Sequence, residues 1–234
     1  MEAAAATENH QRRETALQRL QRQTGEFFFA FGRMVFLAGV LTVILLLSFL
    51  TIDIPLRAFD GFFGNAVALR PSNWLTRGAY LMGTAPLVAI LIARKFGGDE
   101  ANRAVTAAWG FAAFAVFAEL SYLAPVLEEG DLPSVRFAVA TVASAMMGQF
   151  MAVSIYDVAR GGGAWWRAPL FGAIGAYLSQ GLIYFPTVYW GSPAPWLNWM
   201  VTDFALHMLM AGAFLPVYGA LRRRLRPVRG YGGR

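Results

Sequence analysis

From Met34 to Leu50 the chain reads MVFLAGVLTVILLLSFL, seventeen residues without one charged side chain. At about 1.5 Å of helical rise per residue, a run of roughly twenty such residues crosses the hydrocarbon layer of a bilayer. Backbone polar groups in lipid must satisfy one another, so such a run is a helix. Six runs of this kind recur, at about 28–51, 75–93, 103–124, 134–158, 165–190 and 196–221. Charged residues are 15% of the chain, against about 25% in soluble domains. The expected fold is all-α, a polytopic membrane protein with six transmembrane helices in a bundle.

The basic residues set the topology. Sixteen of the twenty Lys and Arg fall on one side of a six-span arrangement, including Arg94, Lys95, Arg160, Arg167 and the cluster from Arg222 onward. The other side carries Arg57, Arg70, Arg77, Arg136 and the acidic stretch EEGD at 128–131. The positive-inside rule then puts both termini in the cytoplasm. The formal charge of +6 follows from these flanks rather than from a soluble basic face, which argues against nucleic acid as a partner. Three regions are expected: a polar cytoplasmic tail over 1–26, the six-helix domain over 27–221 and a basic cytoplasmic tail over 222–234. The first apolar run is too long for a signal-peptide core. With no cysteine, disulfides and thiolate metal sites are excluded. The bacterial cytoplasmic (inner) membrane is the expected location.

Small residues recur every four positions in the fourth span (Ala140, Ser144, Gly148, Ala152) and in the third (Ala104, Ala108, Ala112), with Gly172 and Ala176 in the fifth. Such faces let helix backbones approach closely. Pro86 and Pro186 are read as lying inside helices, where each frees a carbonyl. The tryptophans, mostly at span ends, are read as an interfacial belt.

A charge at mid-bilayer costs about 2.5–3.5 kcal/mol on insertion scales, so intramembrane ionisable groups are candidates for function. Asp203 and His207, four apart in the last span, share a helix face. They form either a substrate-binding and proton-coupling pair or a structural lock between helices. Glu119, in the third span, is a further proton-coupling candidate or a residue that reaches the interface. Gln149, Ser179, Gln180 and Tyr184 are substrate-binding candidates; the two amides serve equally well as bridges between helices. The sequence has no nucleotide-binding loop, nucleophile elbow or histidine-rich metal site. No cofactor, metal or catalytic apparatus is expected.

Four stretches, ARKFGGDEANRAV (93–105), GQFMAVSIYDVAR (148–160), WWRAP (165–169) and TDFALHMLMAGAFLPVYGAL (202–221), resemble in order and spacing the queuosine-precursor transporter family, also called the VUT or vitamin-uptake-like family. The resemblance implies a six-helix importer of small 7-deazaguanine bases, with Gln149 and Asp203 at matching positions. This chain departs from the family pattern where Thr-Asp is replaced by Ala89-Ile90, where an acid is replaced by Ala152, where Ser-Asp becomes Ser179-Gln180, and where a lysine becomes His207. The expected function is import of a small heterocyclic compound, with polar groups of spans four to six forming the site. Two alternatives stay open: a non-transporting membrane subunit that scaffolds a complex, and the substrate-binding subunit of an ATP-driven vitamin importer. Membrane lipid surrounds the chain in each case, as a homo-oligomer or within a membrane complex.

Overall fold

The computed structural model describes residues 16–126, 132–161 and 163–227. The described residues form seven α-helices: α1 Ala16–Leu50, α2 Arg77–Met82, α3 Thr84–Phe96, α4 Gly98–Leu123, α5 Val135–Ala159, α6 Arg167–Tyr189 and α7 Trp196–Leu221. Among the described residues, six segments are long and apolar enough to span a membrane, with α2 and α3 together making one, Arg77–Phe96. The protein is therefore an all-helical, multi-pass membrane protein. The chain divides into two units, Met1–Phe36 and Leu37–Arg234. In the first, helix already runs from Ala16, so residues 16–26 of the polar segment are helical; Arg22 and Glu26 pair one turn apart at 3.4 Å. The acidic EEGD stretch lies outside the described residues.

In the second unit the small-residue faces pack as their spacing demands. Ala140, Ser144, Gly148 and Ala152 are all buried on α5, as are Ala104, Ala108 and Ala112 on α4. A Cβ on Gly172 of α6 would lie 2.9 Å from the carbonyl oxygen of Ala152, and one on Gly148 would lie 3.2 Å from that of Ala176. The α5–α6 seam is thus backbone against backbone, which only glycine and alanine permit. On α1, Leu41 and Leu45 are fully buried, and the Thr42 hydroxyl donates to its own helix at Ala38 O (2.8 Å) and lies 3.3 Å from Ala108 O on α4. Gly97, at φ +88°, alone makes the turn from α3 into α4. The acids Asp99 and Glu100 open α4, where they complement the positive end of its dipole.

The second span is broken at Gly83. Pro86, read from the sequence as a kink inside a helix, instead stands in the first turn of α3, where a missing N–H costs little. Pro186 does lie inside α6. Beyond α6, Arg136 of α5 donates from Nε to Thr187 O and from Nη2 to Trp190 O (3.3 Å), satisfying carbonyls left free at the helix end.

The stretch DGFFGNAVALRPSN forms three 3₁₀ turns, Asp60–Phe63, Val67–Leu69 and Pro71–Asn73. It is tied down at several points. Leu56 N–H donates to Leu75 O (3.0 Å) and Arg77 N–H to Ile54 O (2.7 Å). The Asp60 carboxylate accepts from the Ser72 amide at 3.0 Å, and Trp199 of α7 donates to Ala68 O at 3.0 Å. The result is a cap over the end of the bundle, with Trp74, Leu75, Phe185 and Leu206 as its apolar core.

Candidate functional site

Beneath this cap is a cavity of about 380 Å³, within the size range of small-molecule sites. Four of the singled-out residues line it: Gln180 and Tyr184 from α6, Asp203 and His207 from α7. Gln180 and Tyr184 share a face because four residues turn a helix by about 400°, nearly back to the start. The same spacing brings Asp203 and His207 together. The remaining wall comes from α2 (Ala79, Met82), from α5 (Phe137, Thr141, Ser144) and from the cap (Asp53, Asn73, Trp74, Leu75).

Asp203 is 8% exposed and His207 2%. His207 Nδ1 lies 3.0 Å from the Asp203 carbonyl oxygen and 3.2 Å from carboxylate Oδ2. A carbonyl only accepts, so this geometry assigns the proton to Nδ1. The other nitrogen, Nε2, is buried with no hydrogen-bond partner. The imidazole is held between two phenol rings, Tyr177 at 4.8 Å and Tyr80 at 5.3 Å between centroids. It packs on the break at Gly83, where a Cβ would fall 2.5 Å from Nε2. The Tyr177 hydroxyl donates to Gly83 O at 2.9 Å, closing the cavity floor. A carboxylate, an imidazole, an amide and a phenol thus converge in a chamber of mixed lining, with Trp74, Phe137, Phe185 and Tyr189 as its other rings. The set can hydrogen-bond a polar ring edge and pack against its faces.

Three other candidates are placed elsewhere. Gln149 is fully buried on α5, does not line the cavity, and has no hydrogen-bond partner for either amide atom. It is turned by about 140° around the helix from Ser144, since five residues at about 100° each overshoot one full turn. The Ser179 hydroxyl donates to its own helix at Ala176 O (2.9 Å). Glu119 is exposed in the last turns of α4 and does not line the cavity.

Several lining groups escape a reading of the sequence. Thr141 and Ser144 look like packing residues, and their hydroxyls do bond within α5, yet they border the cavity. Trp74, assigned to the interfacial belt, is 9% exposed and is part of the cavity wall, stacked on Trp199 at 6.2 Å and edge-on to Phe185 at 6.0 Å. Trp109, also assigned to the belt, is 6% exposed and packs against Phe49. The RPSN sequence signals only a turn, and long-range pairing of the cap is what brings Asn73 and Trp74 to the site.

Comparison with known proteins bears on this arrangement. The family described as "Putative vitamin uptake transporter" matches residues 76–221, the stretch from the N-cap of α2 to the end of α7. The queuosine precursor transporter of Escherichia coli (strain K12) is 28% identical over 163 residues, which cover 64% of this chain and 74% of that protein. No solved structure matches the chain. The match takes in every transmembrane helix from α2 to α7, and the chain belongs to the vitamin uptake transporter family, of which it is a divergent member.

Proposed function

We propose that the chain imports a small planar heterocycle, of the 7-deazaguanine type or a relative of it, across the bacterial inner membrane, with both termini in the cytoplasm. The observation that carries this reading is the convergence of Asp203, Gln180 and Tyr184 on one cavity that also holds aromatic rings. A carboxylate accepts paired N–H donors of the kind a guanine-like edge presents, an amide serves the adjacent acceptor, and aromatic walls cover the ring faces. The name of the Escherichia coli relative supports the substrate class. His207 holds Asp203 in place and couples its charge to a proton. Gln149, with two unsatisfied amide atoms, is the next polar group on the route: a buried amide without a partner costs about 1–3 kcal/mol, and a passing solute would satisfy it.

The test is uptake of labelled 7-deazaguanine precursor by cells that express the protein. Asp203→Asn keeps the shape and removes the charge. Loss of a charged hydrogen bond should lower uptake by about tenfold or more. Uptake by that variant at the wild-type rate would remove Asp203 from the mechanism.

One observation favours a second reading. Positions 89, 90 and 152, where family members carry polar or acidic residues, are fully buried here as alanine and isoleucine. The Ile90 side chain and the Ala152 carbonyl both border Gly172 in the seam below the cavity floor. A chain whose polar route ends at that floor would serve as a substrate-binding subunit of an importer driven by a separate ATPase. Reconstitution in liposomes separates the readings. Accumulation by the isolated chain supports the importer, and binding without accumulation supports the subunit. Absence of both supports a scaffold that keeps only the fold.

A further inference from the structure

At the opposite end of the bundle the helix ends enclose a second chamber of about 290 Å³. From Asp203 to Tyr218 along α7 is about 22 Å, at 1.5 Å per residue, so the two chambers are separated by most of a bilayer. Five arginines line the second one: Arg94, Arg160, Arg222, Arg223 and Arg226. No aspartate or glutamate is among its described lining residues. The nearby carboxylate of Asp157 forms an ion pair with Arg160 at 3.0 Å, not aligned as a hydrogen bond.

Three of the guanidinium groups are held by the protein itself: Arg160, which also donates to Ala93 O at 3.4 Å, and Arg94 and Arg222. Arg94 donates to the Tyr218 hydroxyl (3.1 Å) and to Arg222 O (3.0 Å), and lies over the Tyr218 ring at 5.4 Å. Its Nε is buried without a hydrogen-bond partner. Arg222 lies over Trp165 at 5.4 Å, and Trp165 in turn stacks parallel on Tyr218. Tyr218 is locked to Tyr156 by a 2.9 Å contact between their hydroxyls. Like charges gathered in this way repel one another, and an anion with several oxygens relieves that repulsion. Guanidinium forks match the oxygens of a phosphate in pairs. The chamber exceeds what one ion needs, with room for about ten water volumes, enough for a phosphate bearing a substituent.

We propose that this chamber binds a phosphate group, carried by an anionic phospholipid headgroup or by a small phosphorylated solute. Basic pockets between transmembrane helices are known to suit such groups. The site does not depend on what the first cavity takes.

The test uses the full chain purified in neutral detergent, with melting followed against inorganic phosphate and pyrophosphate at ionic strength matched by chloride. In a second arm the chain is placed in phosphatidylcholine nanodiscs with and without phosphatidylglycerol. A saturable rise in melting temperature is expected in at least one arm. A response to the free anions identifies a soluble ligand, and a response to phosphatidylglycerol alone identifies a lipid. In R223Q/R226Q the apparent affinity should fall by about tenfold or more. Both side chains are exposed beyond the end of α7, so the variant keeps its helices, which circular dichroism checks. No saturable response in either arm, or an equal response in the variant, would overturn the proposal.

Discussion

Gly83 and His207 are complementary as residues: one lacks the carbon that the other's ring occupies. Adding a methyl group there forces either the imidazole or the α2–α3 junction to move, a strain of about 1–3 kcal/mol. Gly83→Ala should therefore melt at a lower temperature than the wild type. His207→Ala should restore much of the loss when combined with it, a coupling measured by the double-mutant cycle. Independent, additive effects would show that the ring does not lie on the break. At this scale the sequence was informative about chemistry and poor about placement. Asp203 and His207 announce their pairing through a four-residue spacing, and Gln180 and Tyr184 do so for the same reason. Gln149 was as conspicuous, but its place five residues beyond Ser144 turns it away from the cavity. A sequence shows that an amide is in the membrane, and helix rotation decides what it meets.

Whole elements were legible where hydropathy alone determines them. The six apolar runs correspond to α1, the α2–α3 pair and α4 to α7; most ends shift by a few residues, while α1 begins at Ala16, about twelve residues before its apolar run, because the polar segment ahead of it continues the helix. The break at Gly83 was hidden, because a six-residue helix followed by one of thirteen has the same apolar content as a continuous span. The cap was hidden as well, since its order comes from pairings such as Leu56 with Leu75 rather than from any local period. Asp60 is one of the cap's tethers. The Ser72 amide, then its hydroxyl, and finally Arg70 and Arg57, hold the Asp60 carboxyl below the usual carboxylate range. A depressed pKa means that the tether is intact above the ordinary value and is lost as the pH falls through the lowered one. Hydrogen-exchange protection of residues 60–76, taken against the intrinsic amide rate at each pH, should fall on acidification through that window in the wild type. Asp60→Asn should show lower protection at neutral pH and little further change with acid. A similar pH response in both would dissociate Asp60 from the cap. Arg136→Ala removes the donors that satisfy the end of α6, and a fall in melting temperature with unchanged helix content is expected; an unchanged melting temperature would show that water replaces the side chain fully.

For the molecule as a whole, orientation is the property on which the importer reading depends, and it can be measured directly because the native chain has no cysteine. Ser192 is exposed in the turn between α6 and α7, and Ala164 is exposed in the turn between α5 and α6 at the other end. A membrane-impermeant maleimide added to intact spheroplasts should label Ser192→Cys and leave Ala164→Cys unlabelled until the membrane is broken. The reverse pattern would turn the charge argument upside down and place the cavity on the cytoplasmic face. The interruption at Gly83 has a mechanical corollary. A continuous rod transmits any tilt along its full length, whereas here the two pieces answer to different neighbours. The short one is pinned to the chain beside it, Arg77 N–H on Ile54 O and Gly78 N–H on Thr51 O, and the longer one packs among the alanines.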